Sequence, residues 1–110
     1  SIQATTNIPV ISIADFRTSM NKNIYTLIDV RTEEERTQFS IGGKHIPMAV
    51  LQENLFSIET GKPIVFYCAS GKRSAEAVKM LKKINEGAES YSLEGGMKAW
   101  KETPTFEGEL

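Results

Sequence analysis

Ile64-Val65-Phe66-Tyr67-Cys68-Ala69-Ser70-Gly71-Lys72-Arg73-Ser74 decides the fold. Pro63 lacks a backbone N–H and suits only the first position of a strand, and the five residues after it form the most hydrophobic run in the chain. That run reads as a central strand ending at Cys68. From Ser74 to Asn85 the apolar residues Ala77, Val78, Leu81 and Ile84 recur at helical spacing, with Lys79, Lys82 and Lys83 elsewhere around the turn. An amphipathic helix follows, and Gly87 is placed to end it.

Working outward, Tyr25 to Val30 is a second mostly apolar run, of the length of a strand covered on both faces. Thr32 with Glu35 three residues later matches a capping box, and Glu33 and Glu34 suit the positive end of a helix that runs to about Phe39. Pro9 to Ile13 reads as a short strand and Ile13 to Asn21 as a helical segment. Gly42 to Pro47 is a turn-rich connection, and Val50 to Ser57 a helical turn or two. Glu89 to Leu93 supplies the last strand, and Gly95-Gly96 opens a helix through Trp100. Strands alternating with helices imply an α/β domain with a mostly parallel sheet covered on both sides. The domain is expected over residues 9–104, with 1–8 a flexible lead-in or linker and 105–110 a C-terminal tail.

Bulk properties narrow the function. A chain of 110 residues, 40% hydrophobic and 25% charged, is expected to form one domain around one core. A formal net charge of −1 without a basic stripe argues against a nucleic-acid surface. With a single cysteine there is no internal disulfide, and no Cys/His pair at ligand spacing suggests a metal site. No apolar run reaches membrane-spanning length, and Ser1 to Asn7 is short and polar; a cytoplasmic protein without membrane contact is expected.

The chemistry is concentrated after Cys68. In an open α/β sheet, ligands bind beyond the carboxyl ends of the strands, where a helix start presents unpaired backbone N–H groups. Small Ala69, Ser70 and Gly71 let the chain curl around an anionic group, and Lys72 and Arg73 add positive charge, with Ser74 closing the loop. A thiol held there should ionise below the free value of about 8.5 and act as a nucleophile. The plain alternative is that Cys68 is a small buried hydrophobe ending a strand. A core residue would not need the glycine and basic pair that follow it.

Asp29-Val30-Arg31, Gly43-Lys44-His45-Ile46-Pro47, the Cys68 loop and Leu93-Glu94-Gly95-Gly96-Met97-Lys98-Ala99-Trp100 together resemble the four signatures of the rhodanese-like domain, in their usual order. The resemblance spans nearly everything from Ile11 to Trp100. It implies a five-stranded parallel sheet flanked by helices, and a cysteine that accepts sulfur from a donor and passes it on. Within the family, the stretch from Ile41 to Pro47 departs from the commoner Gly-His-Ile-Pro-Gly-Ala pattern. There it is similar to the C-terminal rhodanese domain of adenylyltransferase/sulfurtransferase proteins of molybdopterin and thiamine biosynthesis. Ala69 and Lys72 depart from their Cys-Arg-Ser-Gly-Gly-Arg-Ser loop. The resemblance implies a persulfide on Cys68 with no other cofactor, and a small-molecule or protein sulfur donor. It also implies, as partners, a small sulfur-carrier protein and an adenylyltransferase domain. It assigns Asp29, with Arg31, the support of the loop.

Other residues have plainer readings. Asp29 could pair with Arg31 or Arg73, or form an ordinary surface salt bridge. His45, the only histidine, is placed by the resemblance in a structural turn. Trp100 reads as core, and Glu33 to Glu35 as a solvated helix start. Two rival functions stand beside sulfur transfer. A cysteine phosphatase would place its arginine six residues after the cysteine, where this chain has Ser74, and Arg73 comes one position earlier. A catalytically weak rhodanese-like binding module typically lacks the cysteine.

Overall fold

The computed structural model describes residues 8–104. The expected lead-in and tail, over residues 1–7 and 105–110, lie outside the described residues, whereas Ile8 is half-buried against the core. In chain order the elements are β1 (Val10–Ile11), α1 (Ile13–Ser19, continued by a 3-10 turn), β2 (Thr26–Asp29) and α2 (Glu33–Gln38). They are followed by β3 (Lys44–His45), α3 (Met48–Asn54, also extended by a 3-10 turn) and β4 (Ile64–Tyr67). The last are α4 (Lys72–Ile84), β5 (Ser90–Leu93) and α5 (Gly96–Glu102).

The sheet has five strands in the order β1-β5-β4-β2-β3, and every pairing is parallel. The expected α/β class and sheet are therefore present. Strand alternation sends β4 side chains to opposite faces. Ile64, Phe66 and Cys68 join Ile28 and Val30 beneath Leu51, Ala77, Val78 and Leu81 of α3 and α4. On the other face Val65 and Tyr67 pack with Phe16 of α1, Leu93 of β5 and Met97 of α5. Burying each of these larger side chains contributes roughly 1.5–3 kcal/mol, which is why a run apolar at every position belongs in the middle of the sheet.

The differences from the sequence reading have local causes. β1 stops at Ile11 because Ser12 turns out to cap α1, its hydroxyl accepting from the Asp15 N–H at 3.1 Å. The connection read as a turn contains β3, a two-residue edge strand paired with Ile28 and Asp29. α3 begins at Met48, two residues before the expected start. α4 begins at Lys72, whereas the apolar periodicity suggested Ser74, because Lys72 is exposed and Arg73 pairs with Glu35. It ends at Ile84, with Asn85 as the cap, short of Gly87. The capping box at Thr32 and Glu35 is formed as read, with both reciprocal hydrogen bonds present.

Candidate active site

Parallel strands place their carboxyl ends on one edge, and Asp29, His45 and Tyr67 lie level there. Cys68 follows directly, with no exposed surface. Gly71 adopts φ 100° at the entry to α4, a conformation that glycine takes without strain, and this bends the chain back over the sulfur. The Gly71 N–H donates to Cys68 Sγ at 3.0 Å and the Ser74 N–H at 3.3 Å. The Ser74 hydroxyl lies 3.5 Å from the same sulfur.

These contacts determine the thiol's acidity. Burial pushes its pKa up, but hydrogen bonds from the Ser74 hydroxyl and from the Ser74, Gly71 and Ser70 N–H groups more than offset this, and the net shift is downward. The direction is the expected one, but hydrogen bonds, not the charges of Lys72 and Arg73, lead it. Lys72 is exposed on the first turn of α4, and Ser70 is exposed at the loop tip. Arg73 points both terminal nitrogens at Glu35, with Nη1 to Oε1 and Nη2 to Oε2 each 2.9 Å. This pairing lowers Glu35 to about 2. Glu35 is thus no solvated helix-start residue: it caps α2 and ties that helix to the loop.

Asp29 and Arg31 form a buried pair, not a surface bridge. Arg31 Nε donates to Oδ1 at 2.9 Å and Nη2 to Oδ2 at 3.0 Å, while the Arg31 N–H also reaches Oδ1. Burial raises the Asp29 pKa, yet the hydrogen bonds and charge of Arg31 bring it below its ordinary value. Arg31 also holds the Phe39 carbonyl at 2.5 Å and stacks over Tyr67. Of the two partners considered for Asp29, Arg31 is therefore the observed one, with Arg36 as a second, and Arg73 goes elsewhere. His45 lies on β3, not in a turn, and its Nε2 is 2.8 Å from the Arg31 carbonyl oxygen. Trp100 is half-buried against Phe16, with Arg17 over its ring.

From the far side, α5 clasps the loop. Met97 N–H donates to the Cys68 carbonyl and Lys98 N–H to that of Ala69, both at 2.9 Å. A Cβ on Gly96 would fall 2.4 Å from the Cys68 carbonyl oxygen, so only glycine permits this approach. Ser92 on β5 carries no local signal in the sequence, although its Oγ lies 2.6 Å from Ser74 Oγ. A cavity of about 340 Å³ opens beside Ala69, with Arg31, Glu35, Phe39, Met97 and Lys98 among its lining residues.

The model of the rhodanese-like domain matches residues 12–103. The chain belongs to the rhodanese-like family. An uncharacterized Bacillus subtilis protein, YqhL, is 39% identical over 75 residues, which is 67% of this chain and 59% of that protein. The thiosulfate sulfurtransferase GlpE of Coxiella burnetii is 32% identical over 84 residues, covering 74% of this chain and 77% of its own length. Among solved structures, a rhodanese-related protein from Thermoplasma volcanium has a TM-score of 0.78 at 34% identity. That superposition covers 86% of this rhodanese-like chain and 91% of the other. No helix among the described residues is long and apolar enough to cross a membrane.

Proposed function

We propose that this rhodanese-like domain is a sulfurtransferase in which Cys68 carries sulfane sulfur as a persulfide. The observation that carries the reading is the burial of a lowered-pKa thiol under hydrogen-bond donors from Gly71 and Ser74. An inert core cysteine has no use for such donors, whereas a thiolate that alternately attacks and leaves needs them. The family and the naming of GlpE as a thiosulfate sulfurtransferase support the same chemistry.

In the proposed cycle the Cys68 thiolate attacks the outer sulfur of the donor, whose S–S bond breaks. With thiosulfate the leaving group is sulfite, which takes the bonding pair. An acceptor nucleophile then attacks the outer sulfur of Cys68-S-S⁻, and the Cys68 thiolate leaves with its electrons. Neither step calls for a metal or organic cofactor. Ala69 brings no charge to the loop, so a dianionic donor such as thiosulfate should turn over slowly compared with a protein persulfide. The acceptor in the cell is proposed to be a thiol, or the adenylylated C-terminus of a small sulfur-carrier protein with an adenylyltransferase domain as the activating partner. That C-terminus is an electrophile, so the outer persulfide sulfur attacks its acyl carbon and AMP leaves. Two equivalents of an external thiol then cleave the acyl disulfide to release the thiocarboxylate and the Cys68 thiolate, being oxidised to a disulfide. The cavity beside Ala69 offers room for an acceptor chain.

A cysteine phosphatase is disfavoured because the loop arginine is committed to Glu35 and not free to bind phosphate oxygens. The test is turnover of thiosulfate with cyanide. Wild-type protein should form thiocyanate, and Cys68→Ser should form none, since no second thiol exists to hold the intermediate. Equal turnover by the variant would refute the assignment.

A further inference from the structure

Ser90 and Ser92 sit on a central strand, on the face that also carries Phe66, and Ser92 is 2% exposed. A buried hydroxyl needs partners, and a strand position of this kind is otherwise filled by an apolar side chain. The Ser92 partners are specific. Its Oγ is 2.6 Å from Ser74 Oγ and 3.4 Å from the Gly71 carbonyl oxygen, while Ser74 Oγ is 3.5 Å from Cys68 Sγ. Cys68, Ser74, Ser92 and the Gly71 carbonyl thus form a hydrogen-bonded chain that starts at the sulfur and ends on the loop backbone.

We infer that Ser92 is a positioning residue, whose hydroxyl sets the direction of the hydrogen bond between Ser74 and Cys68 in a chain that reverses when the thiol ionises. Only one hydrogen can lie between the two serine oxygens. With a neutral thiol, Cys68 donates to Ser74, Ser74 to Ser92, and Ser92 to the Gly71 carbonyl. With a thiolate, Ser92 turns from that carbonyl to donate to Ser74, and Ser74 donates to the sulfur. No proton crosses the serines, because the carbonyl at the end can only accept; two hydroxyl hydrogens rotate, and the thiol proton leaves from Sγ. A donor that itself accepts a hydrogen bond is a stronger donor, so Ser92 strengthens the Ser74 contact to the anion. On the reading of the preceding section, from which this role follows, a Cys68 persulfide has no hydrogen on Sγ and holds the chain in its second state.

The charged groups around the thiol are few. Arg73 on α4 interacts with it and is matched by Glu35 from α2. The Asp29–Arg31 pair stands at the end of the adjacent β2. Lys72 on α4 and Lys98 on α5 are exposed, and the neighbouring β5 contributes only Ser92 and Leu93 at this level.

The test is the thiol pKa, read from thiolate ultraviolet absorbance against pH, with Cys68→Ser as the blank. Ser92→Ala should raise it by about half a unit, a threefold change in the ionisation constant. Ser92→Thr, which keeps a hydroxyl, should restore most of the shift. In a Ser74→Ala background, Ser92→Ala should add nothing, because its effect passes through Ser74. An unchanged pKa in Ser92→Ala, or an equal rise with and without Ser74, overturns the inference. Should Ser92→Ala not fold, nuclear magnetic resonance of the wild-type hydroxyl protons provides the same decision: the Ser92 resonance should move with thiol ionisation, and a stationary one contradicts the chain. Mass spectrometry of wild-type protein after sulfur-donor treatment separates the two levels, since absence of added sulfur removes the proposed function and leaves the pKa comparison standing.

Discussion

Asp29 shows how a buried charge is held by its neighbours. Its carboxylate has no exposed surface and is compensated by the two nitrogens of Arg31, by the Arg31 N–H and by Arg36 at 3.3 Å. Arg31 in turn holds the Phe39 carbonyl and shields Tyr67, so losing Asp29 leaves a buried cation with only part of its partners. Asp29→Asn should cost about 3–5 kcal/mol, the usual penalty for breaking one side of a buried pair, read as a lower urea midpoint with an unchanged slope. A loss below about 1 kcal/mol would place the pair with exposed salt bridges. Cys68 and its loop were legible because a thiol followed by small and basic residues at a strand end is an uncommon pattern. The choice of Arg31 over Arg73 was not. It depends on a bend at Arg31 and on Glu35 reaching Arg73, 38 residues away in sequence. Ser92 was hidden for the same reason, since its partner Ser74 is 18 residues distant.

At the level of elements, α2 and α5 hold the loop from two sides. The α2 contribution runs through Glu35, which is at once the cap partner of Thr32 and the bidentate partner of Arg73. Its folded carboxyl titrates at about 2 against an ordinary 4.5. The folded state therefore binds this proton less readily than the unfolded chain, and stability from Glu35 is complete above about pH 4.5 and fades as the pH falls toward 2. Glu35→Gln should accordingly be less stable than wild type at neutral pH, with the gap narrowing across that acid window in urea titrations. A gap that is the same at pH 7 and pH 3 would mean that the carboxylate charge plays no part. The helix itself was readable from Thr32 and Glu35, since a cap is a local signal. β3 was not, because two residues give no alternation to detect. The start of α4 is not legible because Lys72 is exposed and Arg73 pairs with Glu35, so neither side chain adds to the apolar period.

For the whole molecule, five parallel strands with helices on both faces leave one open edge where the carboxyl ends meet, and the loop is built there. Parallel order was legible from the alternation of strands and helices, while the strand order is a tertiary property that no local pattern carries. The loop as a whole is shaped around one sulfur atom: Gly71 and Ser74 donors converge on Sγ, and Arg73 turns outward to Glu35. The protein should thus show no hydrolysis of an activated aryl phosphate above the rate of Cys68→Ser, measured by release of the phenol. Cys68-dependent release would favour the phosphatase reading. The central claim, that Cys68 carries the transferred sulfur, is tested most directly by intact-protein mass spectrometry after incubation with a persulfide or thiosulfate donor. Wild-type protein should gain the mass of one sulfur atom, lose it on addition of cyanide, and show neither change as Cys68→Ser; a wild-type protein that takes up no sulfur from either donor, or a Cys68→Ser variant that takes it up equally, would contradict the account.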